Sequence, residues 1–161
     1  MTCQLVSDGG QEGRKAIPAT RRISLYVDLA AADDASLWLR ETGKACGLSP
    51  EDMFRVDLCV SELVTNIVRY AGTEPGAGTI DISTSIDKER VAVEVRDNGR
   101  PFDPLSVAAL MGASTLADAV VGGYGIHLVR SFAHEVRYDR CGGENVIAFV
   151  VRRSRPVTQG Q

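Results

Sequence analysis

An α+β fold, with an antiparallel or mixed sheet and its helices on one face, is what the order of elements along this chain predicts. Three features lead there. Alternating polar and apolar runs come in neighbouring pairs, so the order reads β-α-α-β-β-loop-α-β-β, unlike the strict strand–helix alternation of a parallel sheet. Short turns at 87–89 and 141–143 separate the members of two such pairs, a hairpin spacing. The length of 161 residues, 44% hydrophobic and 24% charged, suits one globular domain that buries roughly 70% of its unfolded surface.

Residues 1–19 are rich in Gly, Ser, Gln and charge and show no periodicity, so a flexible arm is expected. The domain proper is placed at 20–153 and a tail at 154–161. Arg21–Leu29 (RRISLYVDL) alternates polar and apolar residues and predicts the first strand. Asp33 or Asp34 is placed to cap a helix through Leu37, Trp38 and Leu39 to about Ala45, ended by Gly47. Ser49-Pro50-Glu51-Asp52 then sets a side-chain oxygen at the N-cap, proline at the first position and carboxylates at the positive end of the helix dipole. That second helix is predicted to run to about Ala71, closed by Gly72. Met53, Val56, Val60, Leu63, Val64, Ile67 and Val68 share one arc of it. Glu62 and Asn66 fall on the opposite side, with Arg55 and Arg69 beside them.

The turn-rich run 72–78 precedes two strands, Thr79–Asp87 and Arg90–Arg96, with Ile80, Ile82, Ile86 and Val91, Val93, Val95 at alternate positions. Residues 100–121 lack firm periodicity, with a short helix expected around Leu105–Met111. Gly122-Gly123-Tyr124-Gly125 opens a helix, Ile126–Ala133. A last hairpin is predicted from His134–Asp139 and Asn145–Arg153 around Cys141-Gly142-Gly143.

Composition narrows the function classes. Eighteen Lys and Arg against twenty-one Asp and Glu leave a net charge of −3, whereas nucleic-acid binders usually carry a basic surplus. No apolar run reaches the length of about 20 residues that spans a bilayer, and the first residues lack the pattern of a signal peptide. Cys3, Cys46, Cys59 and Cys141 are scattered, without the spacing of a zinc or redox motif. Reduced thiols in the cytoplasm are expected.

Three segments can carry chemistry. In Glu62-Leu63-Val64-Thr65-Asn66 the acid and the amide lie four residues apart on one helical face. Such hard oxygens suit Mg²⁺ or a positioned water, or the segment is a solvated face. In Arg96-Asp97-Asn98-Gly99 the aspartate can accept from an exocyclic amine while Gly99 admits a flat ring, or the run is a turn ending a strand. Gly122-Gly123-Tyr124-Gly125 places amide N–H groups at a helix start, a site suited to phosphate, or it is a hinge.

Together and in this order the segments resemble the N, G1 and G2 boxes of the GHKL (Bergerat-fold) ATP-binding superfamily. The run Asp97-Asn98-Gly99-Arg100-Pro101-Phe102-Asp103-Pro104 looks most like its anti-sigma-factor serine/threonine kinases, the RsbW and SpoIIAB kind. Pro101 stands where histidine kinases and gyrase-type members carry a second glycine. The resemblance covers about residues 21–153. It implies a two-layer α/β sandwich with a mixed, mostly antiparallel sheet. By the same resemblance Asn66 would bind ATP and ligate Mg²⁺, and Glu62 would be the catalytic general base. Asp97 would bind the adenine amine, with Gly99 making room, while Gly123 and Gly125 would wrap the phosphates. Pro104–Val121 would be the lid.

The implied activity is an ATP-dependent serine/threonine protein kinase acting as an anti-sigma factor. Its implied partners are a STAS-type anti-anti-sigma protein as substrate, a sigma factor held inactive, and a second copy of the chain as a homodimer. Neither direct nucleic-acid binding nor a membrane is expected. The alternative is a catalytically silent nucleotide-binding switch that regulates a partner by binding alone.

Overall fold

The structure, a computed structural model, describes residues 19–72, 77–106 and 124–154. The expected arm at its residues 1–18, the lid from 107 onward, Gly123 and the tail from 155 lie outside them. The described elements are β1 (Ala19–Tyr26), α1 (Ala31–Ala45), α2 (Pro50–Tyr70), β2 (Thr79–Ile86), β3 (Arg90–Asp97), α3 (Tyr124–Phe132), β4 (Glu135–Cys141) and β5 (Glu144–Arg152).

The strands form one five-stranded sheet in the order β1-β2-β3-β5-β4, and each pairing is antiparallel, not mixed. Hairpins account for β2–β3 and β4–β5; β1 meets β2 across α1 and α2, and β3 meets β5 across α3 and β4, so the sheet's centre is built from distant sequence. Registry sets one apolar row across the inner face, Ile23–Ile82–Val95–Ile147–Tyr138. The next row begins apolar and turns polar, Leu25–Ile80–Asp97–Asn145–Arg140. That change marks the end of the sheet where the candidate site lies.

The helices cover this inner face. α1 packs on β1, α2 on β3 and β5, and α3 on α2 and β4. Val56, Val60, Leu63 and Val64 of α2 are fully buried against Ile80, Val93, Val95 and Phe149 in one core.

Local chemistry explains the helix ends. Ser49 adopts extended backbone (φ −67°, ψ 155°) and its Oγ accepts from the Asp52 N–H at 3.1 Å, with Pro50 in the first turn. Gly72, at φ 66°, takes the left-handed turn that follows α2. α1 differs from expectation. It starts at Ala31, with Ala30 at the N-cap and no side-chain cap; Asp33 and Asp34 lie inside the first turn. Buried Ala31 and Ala35 draw the helix that far back, and Asp28 Oδ1 takes the Ala30 N–H at 2.9 Å. The last turn is also shorter than expected. Cys141 pairs with Glu144 as the end of β4, leaving Gly142 and Gly143, at φ 62° and 90°, as a two-residue turn.

One helix face departs from the sequence reading. Asn66, expected opposite the apolar arc, is 7% exposed, and Glu62 is half-buried. Glu62 lies against Gly125 of α3, while Asn66 shares a cleft with the turn after β3 and with β5.

Candidate functional site

Asp97 is the last residue of β3, and burial at 6% exposure is the start of its chemistry. Its Oδ1 accepts from the Gly99 N–H and from Asn145 Nδ2, both at 2.9 Å. Its other oxygen has no hydrogen-bond partner among the described residues. Burial pushes the Asp97 carboxyl above the ordinary carboxylate range, and the bonds from Asn145 and Gly99 offset part of that.

Asn145, directly across the ladder on β5, organises the turn after Asp97. Its Nδ2 also donates to the Arg100 carbonyl at 2.9 Å. Its Oδ1 accepts from the Phe102 N–H at 3.2 Å, the Tyr138 hydroxyl at 2.9 Å and Arg140 Nη1 at 2.8 Å. Arg140 Nη1 reaches the Gly99 carbonyl as well, at 3.0 Å. On the other side the turn is tied to the end of α2: the Arg100 N–H donates to the Ala71 carbonyl and its Nε to the Tyr70 carbonyl. At Gly99 the close approach is made by the chain itself, since a Cβ there would lie 2.8 Å from Ala71 Cα and Cβ.

A cleft opens between this turn and α2, lined by Asn66, Tyr70, Asp97, Phe102, Asn145 and Ile147 among others. Its enclosed part is about 20 Å³, room for one water. The rings of Tyr70 and Phe102 stack beside it with centroids 5.0 Å apart and planes at 22°. The Asn66 side chain, though almost fully buried, makes no hydrogen bond within the described residues. In the cleft a ligand or water can complete that amide.

One turn earlier on α2, Glu62 packs against Gly125 in the first turn of α3. Burial, with the Glu62 charge as a lesser cause, pushes the neighbouring Cys59 thiol up to about 12, which keeps it a packing residue. No group of three or more His, Cys, Asp or Glu among the described residues is placed to hold a metal. No helix among them is long and apolar enough to cross a membrane.

The sequence-predicted residues therefore fall into two groups. Asn66 and Asp97 line one cleft with Gly99 in its bounding turn, and Glu62 meets Gly125 beside it. Gly123 lies outside the described residues. Asn145, Arg140 and the Tyr70–Phe102 pair escaped sequence reasoning. For Asn145 a signal existed: it occupies an inward slot in the alternation Asn145, Ile147, Phe149, Val151, where an amide needs buried partners.

Comparison with known proteins agrees with this geometry. The family model described as the histidine kinase-like ATPase domain matches residues 25–151. The serine/threonine-protein kinase BtrW of Bordetella bronchiseptica is 32% identical over 126 residues, 78% of this chain and 89% of that protein. The serine-protein kinase RsbW of Bacillus subtilis is 28% identical over 114 residues, 68% of this chain and 71% of that one. Among solved structures, the RsbU and RsbW domains of Rv1364c from Mycobacterium tuberculosis superpose with a TM-score of 0.64 at 20% identity, over 86% of this chain. The match spans a third of that longer chain, and it speaks for the fold alone.

Proposed function

The chain belongs to the histidine kinase-like ATPase domain family, and from that premise we propose that it is an ATP-dependent serine/threonine protein kinase. Its substrate is a STAS-type anti-anti-sigma protein. In its other role it binds a sigma factor and holds it inactive, so that it acts as an anti-sigma factor by partner switching in the cytoplasm. The domain responsible is residues 20–153, and the working form is a homodimer.

One observation carries the reading: an oxygen of buried Asp97 and the amide of buried Asn66, neither with a hydrogen-bond partner among the described residues, belong to the same cleft. The donor set fits a purine nucleotide with a hard divalent cation. Asp97 would accept a hydrogen bond from the exocyclic amine of adenine, and the Asn66 side-chain oxygen would ligate Mg²⁺. By the family resemblance, Gly123 and Gly125 would hold the phosphates.

When bound, Mg·ATP supplies the transferable phosphoryl group and neutralises its charge. Glu62 accepts the proton of the incoming serine or threonine hydroxyl. That oxygen bonds to the γ-phosphorus as the bond from phosphorus to the bridging oxygen breaks, and ADP departs. The phosphorylated substrate then carries about two negative charges, which weaken its interface by repulsion and desolvation.

The test is transfer of label from γ-labelled ATP, with Mg²⁺, to the STAS-domain protein encoded nearest this chain's gene. Glu62→Ala is expected to slow transfer by about 10²- to 10⁴-fold while nucleotide still binds, and Asn66→Ala to weaken Mg²⁺-dependent ATP binding. Tight ATP binding with no transfer by the wild-type chain would support the silent switch instead.

A further inference from the structure

Gly125 is buried in the first turn of α3, and its backbone lies outside the left-handed region. Conformational freedom is therefore not what glycine supplies at this position; room is. A Cβ built on Gly125 overlaps Glu62 Oε2 and lies 3.2 Å from both Cβ and Cδ of Glu62. All three of its nearest atoms belong to that one side chain. Glu62 itself has no hydrogen-bond or ion-pair partner among the described residues. A catalytic base is ordinarily aimed by a third group that bonds to it. Here contact with the bare backbone of α3 takes that part.

We propose that Gly125 is a positioning residue for Glu62: the missing side chain lets the carboxyl lie against the first turn of α3 and fixes the oxygen that meets the substrate hydroxyl. The proposal rests on the reading of Glu62 as general base. Its content is separate from any amide that Gly125 offers to phosphate. An alanine keeps that amide, and the least costly relief of the overlap is rotation of the flexible glutamate. The fold persists while the carboxyl moves, and misplacement by about 1 Å is enough to slow transfer strongly.

A double-mutant cycle tests this. Wild type, Gly125→Ala, Glu62→Ala and the double variant are compared for single-turnover transfer from γ-labelled ATP to the STAS-domain protein. Mg·ATP affinity is measured separately with a fluorescent ATP analogue, and thermal melts check the fold. Gly125→Ala is expected to lower transfer by about a hundredfold at saturating ATP, a loss that added nucleotide does not restore. In the Glu62→Ala background it should remove nothing further. Equal losses in both backgrounds, a loss confined to Kd, or no loss would overturn the proposal.

A second comparison uses Glu62→Asp, which withdraws the carboxyl by one methylene and relieves the overlap with its oxygen, keeping the 3.2 Å contact to Cβ. Adding Gly125→Ala to Glu62→Asp should then lower transfer by less than about threefold; a full hundredfold loss contradicts the proposal. Undiminished transfer by Glu62→Ala strikes the general-base reading itself, a failure distinct from a flat cycle, and takes the proposal with it.

Discussion

Thr84 stands on the inner face of β2 at 1% exposure, and its Oγ1 has no hydrogen-bond partner among the described residues. A buried hydroxyl left unpaired is unfavourable, and valine has the same shape without it. Thr84→Val should raise the unfolding free energy by about 1 kcal/mol, read from the urea midpoint; an unchanged or lower midpoint contradicts the assignment. Asp97 poses the opposite problem, a buried acid with partners. Its carboxyl is raised by burial, so on acidification it takes up a proton earlier than an exposed aspartate and loses one acceptor. ATP affinity should therefore fall as pH drops through this raised value, above the range where exposed carboxylates titrate. Asp97→Asn should remove that limb of the titration. Single-residue properties were unevenly legible in the sequence. The aspartate and glycine of the Asp97–Gly99 turn stood out by type, whereas Asn66 lines a cleft with Asp97 and Asn145, residues far along the chain that no local window contains.

α2 is the element that sequence describes best, because its start is written in side chains that act locally: Ser49 caps it and Pro50 opens it. What holds its N-terminus in place was not legible. Asp52, 1% exposed, accepts from the Ser154 N–H at 2.8 Å and the Ser154 hydroxyl at 3.0 Å, with Arg153 Nε 4.0 Å away. Arg153 also donates to the carbonyls of Gly47 and Asp87 at 2.6 and 2.7 Å. Burial alone would raise the Asp52 carboxyl, but the bonds from Ser154 and Ser49 together hold it below the usual range. The sign follows. A depressed folded-state value gives stability that is present above the unfolded aspartate's value and is lost as pH falls through the folded one. Asp52→Ala should thus lower stability at neutral pH by about 1 to 3 kcal/mol and flatten its acid limb, as measured by thermal unfolding across pH. A parallel acid limb in the variant would assign that dependence elsewhere. The capping failure at α1 has the same origin: Asp33 and Asp34 have the right type, but burial of Ala31 and Ala35 decides where the helix begins.

At the scale of the whole molecule, the α+β class was legible because paired alternating strands admit few other arrangements. Strand order was not, since the pairing of β3 with β5 joins segments that no hairpin rule connects. The candidate site depends on that distant pairing. Asp97 and Asn145 are 48 positions apart, and Asp52 and Ser154 are 102 apart. Contacts of such separation form late, because loop-closure entropy must be met before they contribute. A chain still being synthesised, with β5 unmade, therefore has no amide to set the Asp97 carboxyl and no strand to close the sheet. Nucleotide cannot rescue a half-built copy, and a truncated one has no ordered turn with which to trap ATP. Competence to bind arrives with the final strand, so that the ligand selects finished molecules and stabilises them by mass action.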